Sequence, residues 1–136
     1  MKHAKMLGFL GVSFLIAVTI FWAQEKQAKR DFLTFPLECA GGDCPLLKGA
    51  PQTSGMRSGS VRLRPGESVG WHSTGEQEEA LVILHGNGKA NIEGHADVPV
   101  YEKMLAYISP GTRHNMTNTG PEPLEYVWVA APAGQK

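Results

Sequence analysis

The chain has little cysteine. Cys39 and Cys44 are the only two, in the stretch ECAGGDCP. Four residues separate them, which is not the C-x-x-C spacing of thioredoxin-like sites. The Gly41-Gly42 pair between them lets the chain turn back on itself. A disulfide is the natural reading in an oxidising compartment, and a redox or metal-binding pair is the lesser alternative. Charge of either sign is not in excess: 13 Lys and Arg balance 13 Asp and Glu. That argues against a nucleic-acid binder, which would carry a basic face. After residue 31 no segment has sustained helical periodicity. There is no internal repeat, no Ser-His-Asp arrangement and no phosphate-binding loop.

One long hydrophobic run is present, the uncharged stretch Met6 to Ala23 behind a basic MKHAK start. Its length suits a spanning helix, which needs roughly 17–25 apolar residues. A secretory signal peptide has a shorter apolar run and small residues before the cut. Phe21 stands where a small residue is wanted for cleavage after Ala23. The sequence therefore predicts an N-terminal apolar helix and favours an uncleaved anchor over a cleaved peptide, with a buried core helix a poorer fit. Either form of export puts the remaining chain in the periplasm or another extracytoplasmic space, tethered to the membrane by residues 6–23 if uncleaved. Lys2 and Lys5 on one side and Lys26, Lys29 and Arg30 on the other leave orientation open.

Three parts follow from this texture: residues 1–23 as signal peptide or anchor, 24–55 as a tether and lead-in segment holding the cysteine pair, and 56–132 as a β domain. The lead-in segment mixes apolar pairs with Pro and Gly and reads as irregular chain on the domain surface. From Met56 onward, short alternating segments lie between turn signals. SVRLR, SVGWHST, EEALVILH, KANIE, VYEKMLAYI, RHNMTN and LEYVWVA give about seven or eight strands, spaced as in an all-β sandwich or barrel. GNG at 86–88 reads as a hairpin turn.

In EEALVILH, Glu79, Leu81 and Ile83 share one face and Ala80, Val82 and Leu84 the other. Both faces are apolar apart from Glu79, as in a strand covered on both sides. Glu79 then either begins a buried face, where a carboxylate needs a positive partner, hydrogen bonds or a metal, or sits at the strand mouth in water.

The spacing resembles the cupin superfamily, small jelly-roll barrels of the double-stranded β-helix type. That family's first motif reads G-(X)5-H-X-H-(X)3,4-E-(X)6-G. Gly66, His72, Glu79 and Gly86 fit it, while Thr74 stands at the second histidine. The second motif reads G-(X)5-P-X-G-(X)2-H-(X)3-N. Gly111, His114 and Asn118 fit it, with Lys103 and Ser109 in place of its first glycine and its proline.

The resemblance implies an all-β jelly-roll barrel and a metal site made of His72, Glu79 and His114. Two imidazoles and one carboxylate suit Fe, Mn, Zn or Ni and leave coordination positions open. Thr74, on the His72 face, is expected to donate to a metal-bound water. Met116 and Asn118, on the His114 face, are expected in the pocket wall or in contact with the ligands. If the register slipped by one, Glu78 would replace Glu79. His85, His95, Trp71 and Trp128 are weaker candidates.

Two functions compete. One is a metal-dependent enzyme (oxygenase, isomerase or lyase) acting on a small organic molecule. The other is a binding module without turnover, which the loss of a ligand at Thr74 favours. A third reading, a scaffold for an envelope partner, has no positive support. A homodimer, common in the family, would suit an apolar outer face on the Glu79 strand.

Overall fold

The computed structural model describes residues 32–134. The apolar helix and the membrane tether expected before residue 24 lie outside those residues. The described residues form two facing sheets and no helix. In chain order the strands are β1 (Gly42–Lys48), β2 (Arg57–Leu63), β3 (His72–Ser73), β4 (Gln77–His85), β5 (Asn87–Ile92), β6 (Val98–Tyr101), β7 (Leu105–Ile108), β8 (Arg113–Asn118) and β9 (Leu124–Pro132). One sheet has the order β1-β2-β9-β4-β7 and the other β3-β8-β5-β6. All the strand pairs are antiparallel.

Alternation places Val61 with Leu63 and Leu81 with Ile83, and the structure turns both pairs inward. Val61 and Leu63 on β2, Leu81 and Ile83 on β4, and Leu124 and Tyr126 on β9 point inward and are buried. Ala90, Val100 and Met116 meet them from the other sheet. Each fully buried Leu or Ile side chain contributes about 1.5–3 kcal/mol relative to exposure.

Four expectations are corrected. The GNG stretch is not a hairpin, because β4 and β5 belong to different sheets and do not pair. Gly86 instead lets the chain cross between sheets with φ +82. VYEKMLAYI is not one strand: it breaks into β6 and β7, again in different sheets, at a turn through Lys103. Lys103 adopts φ +69, so the departure from glycine changes the residue and keeps the backbone shape, although such a conformation costs an L-residue about 1–2 kcal/mol.

The lead-in segment is not wholly irregular. Residues 42–48 form β1, paired with β2 from Gly42–Arg62 to Lys48–Arg57. β2 would otherwise be an open edge, and its unpaired backbone groups recruit this chain. Upstream, the Ser60 hydroxyl donates to the Leu37 carbonyl at 2.8 Å, which lays the preceding segment over β2. Cys39 and Cys44 form a disulfide at the start of β1. Finally, β4 is not covered on both sides: Val82 and Leu84 are each 38 % exposed.

Candidate metal centre

β3 and β8 pair so that His72 and His114 stand directly opposite. Directly opposed residues in an antiparallel ladder project to the same face, and the two imidazole centroids lie 4.2 Å apart. Glu79 approaches from the other sheet, at the start of the inward face of β4. Its Oε2 is 3.5 Å from His114 Nε2. One donor atom from each of the three residues lies within 4.8 Å of the others. Donors about 2.1 Å from a common ion can be at most about 4.2 Å apart, so small side-chain rotations bring the set to bonding distance.

Both rings are anchored in the same way. His72 Nδ1 lies 2.9 Å from the Gly70 carbonyl and His114 Nδ1 3.3 Å from the Thr112 carbonyl. Each contact requires the proton on Nδ1 and leaves Nε2 a free lone pair, as in metal-bound histidines. Asn115 supports this arrangement by accepting from the Gly70 amide at 2.9 Å.

Burial lowers the His114 pKa below the usual imidazole value, aided by the neighbouring His72, while the Thr112 carbonyl opposes the shift. The ring is therefore held neutral, the form that binds a metal. Glu79 is 11 % exposed at its side chain, and burial raises its carboxyl above 4.5 despite His72 nearby. An uncompensated carboxylate is unfavourable there, and a cation would relieve that cost. The donor chemistry thus fits a divalent ion.

The cavity around the three is about 240 Å³, which suits a small ligand. Thr74 and Met116 line it. The Thr74 hydroxyl, however, is committed elsewhere: it donates to the Ser109 carbonyl at 2.9 Å and accepts from the Thr112 amide at 3.1 Å. It clamps the loop before β4 to the loop before β8 and is not free to serve a metal-bound water.

Asn118 is not in the cavity wall. It is fully buried, donates to the carbonyls of Leu63 and Glu122, and accepts from the Gly120 amide. Its role is to hold the β8–β9 turn. Glu78 points outward and accepts from the Tyr107 hydroxyl, so strand parity selects Glu79. His85 faces Glu102 on the surface, and His95 is exposed in a turn. Trp71 is half exposed beneath the Arg113 guanidinium.

Sequence reasoning missed Asp43, Arg57, Gln77 and Tyr126 in the lining. The alternation of LEYVWVA could have found Tyr126. Asp43 and Arg57 depend on β1 pairing with β2, for which no local signal exists.

A family model for the cupin domain matches residues 59–130, more than half of the chain. The chain belongs to the cupin family. This cupin is 32% identical over 84 residues to the oxalate-binding protein of Thermotoga maritima, covering 62% of this chain and 69% of that relative. Solved structures share the fold at lower identity. A protein from Bacillus halodurans superposes with a TM-score of 0.66 at 19% identity, covering 81% of this cupin and 87% of the other chain. The Schizosaccharomyces pombe Cnp3 cupin domain gives 0.60 at 15% identity, covering 67% and 64% respectively; this cupin thus spans just under two thirds of that chain.

Proposed function

We propose that this chain is an exported single-domain cupin that binds one divalent metal through His72, Glu79 and His114 and acts on a small organic molecule held at that metal. The observation that carries the reading is the convergence of three donors within 4.8 Å, with both histidines tied at Nδ1. The oxalate-binding relative supports a small organic ligand. A bound ion would supply Lewis acidity at the cavity floor. The chain's own residues orient and enclose: Met116 and Leu81 make an apolar wall. Tyr126 also lines the cavity with no hydrogen bond to the described residues, and burial keeps its phenol protonated as a donor. The Met6–Ala23 run and the Cys39–Cys44 disulfide support export, since disulfides persist in oxidising compartments.

The test is elemental analysis of the full chain purified in detergent without chelator, then reconstituted with Fe, Mn, Zn or Ni. One metal per chain is expected, with metal affinity falling in His72→Ala and His114→Ala by at least the roughly 10–100-fold that loss of a mere outer-shell partner costs. A wild-type chain that takes up none of the four metals would leave the binding module without metal as the correct reading.

A second copy of this chain is the proposed partner. On the outer face of the larger sheet, Val82 opposes Leu105 and Ala80 opposes Tyr107. Leu105 and Tyr107 are 68 % and 63 % exposed, and β7 leaves an open sheet edge. A two-fold contact would cover the same patch on both copies. Light scattering should give twice the 14.7 kDa chain mass, and Leu105→Asp should halve it. A monomeric wild type would refute the dimer.

A further inference from the structure

The outer half of the cavity carries its own recognition chemistry. Trp128 lines it and donates from Nε1 to the Asp43 carboxylate at 2.9 Å. The indole can lie there only because residue 59 is glycine. A Cβ on Gly59 would stand 2.6 Å from Trp128 Nε1 and 2.7 Å from Asp43 Oδ1. The Arg57 guanidinium sits 5.9 Å from the centroid of the same indole, within cation–π range. Neither Arg57 nor Asp43 forms an ion pair among the described residues. A cation and an anion thus flank one fixed aromatic ring and do not neutralise each other by contact.

Charge then divides the cavity. At the inner end a divalent ion with Glu79 leaves one excess positive charge, which a single acid group on the ligand balances. At the outer end Arg57 and Asp43 cancel. A second carboxylate there would gain Arg57 and be repelled by Asp43. An apolar tail would strip water from Arg57 with only the indole face in exchange, and would leave Asp43 the single Trp128 donor, an unfavourable exchange. A group that both accepts and donates satisfies the pair, accepting from Arg57 and donating to Asp43. Hydroxyl groups do this.

We infer that the ligand is a monoanionic hydroxy acid, its acid group at the metal and its hydroxyls between Arg57 and Asp43. This rests on the metal reading above and specifies the substrate class of the same site. Arg57, Asp43 and Trp128 are then specificity residues supplied by β2, β1 and β9, all three outside the family's histidine motifs and the first two brought in by the lead-in strand and its partner.

The experiment is calorimetric titration of the full-length, metal-loaded protein in detergent with three six-carbon acids: gluconate, hexanoate and adipate. Gluconate is expected to bind about tenfold or more tightly than either of the others, the factor a charge-assisted hydrogen bond supports. Arg57→Gln should remove that preference by weakening gluconate. Asp43→Asn should remove it partly by strengthening adipate. Metal content should stay at the wild-type level in both, since neither residue is a ligand. Adipate or hexanoate binding best to the wild type, no binding of any of the three, or variants that leave the ranking intact would overturn the inference while the metal reading stands. Failure to load any metal would overturn both.

Discussion

Stripping the metal-loaded protein with a chelator at pH 7.5 should lower its melting temperature by about 10–20 °C. The estimate takes about 2.7 kcal/mol for a ligand present at a hundred times its dissociation constant and about 4–8 °C per kcal/mol for a domain of this size. Glu79→Gln should lose this response, because its amide is a poor ligand. The metal-free states should show the reverse order. Burial raises the Glu79 pKa in the folded protein, so between the unfolded value and the raised one the folded state holds more protons. Stability therefore falls as pH rises through that window. Above it, metal-free Glu79→Gln should be more stable than the metal-free parent; below pH 4.5 the two should converge.

His114 acts in the opposite sense. Its folded pKa is lowered by burial, so its contribution is present above pH 6.5 and is lost as pH falls through the folded value. Metal affinity should also weaken with acid, since binding must displace the proton from Glu79 and keep both rings neutral. Calorimetric melts of the two proteins from pH 4 to 8, with and without metal, check every part. A metal-free Glu79→Gln less stable than its parent at pH 7.5 would mean that the carboxylate is compensated within the protein.

Gly86→Ala should be the most damaging single methyl in the barrel. Gly86 has φ +82, and its added Cβ would stand 2.3 Å from the Pro123 carbonyl oxygen and 3.0 Å from Leu124 Cα. The obstruction is backbone, and it is fixed: Asn118 Nδ2 holds the neighbouring Glu122 carbonyl at 2.8 Å. The left-handed conformation costs about 1–2 kcal/mol and the overpacking about 1–3 kcal/mol more. Set against a typical total of about 5–15 kcal/mol, that removes a large share of the stability. Gly66→Ala isolates the conformational part, since Gly66 has φ +81 with open space around it. Urea melts should show Gly66→Ala losing about 1–2 kcal/mol and Gly86→Ala at least twice that. Equal losses would mean that the Pro123 turn yields to the methyl.

Gly86 also marks where local reading reaches its limit. A glycine–asparagine–glycine stretch between two strands has the chemistry of a hairpin, and chain-local rules cannot distinguish that from a crossing between sheets. The deciding contact is with Pro123, far along the sequence. Glu79 is the opposite case. Its placement on the face of Leu81 and Ile83 follows from strand parity alone, and parity is local. Asn118 sits at a motif position and on the expected face, yet its amide is consumed by Leu63, Gly120 and Glu122. Spacing could not tell a turn anchor from a cavity wall.

The sequence by itself determined the all-β class, the cupin family spacing, the shared face of Val61 and Leu63 on β2 and of Glu79, Leu81 and Ile83 on β4, and the residue types of the three donors. The class and the faces depend on side-chain alternation; the donors are what the family spacing implies, together with the intrinsic chemistry of imidazole and carboxylate. Only the tertiary structure decided that His72 and His114 face each other across one ladder, that Thr74 clamps two loops, and that β1 carries Asp43 to the indole of Trp128. Strand pairing is settled by backbone hydrogen bonds and burial between distant segments. No local pattern encodes the choice of partner, so the candidate metal donors were readable from the family spacing and the outer wall of the cavity was not.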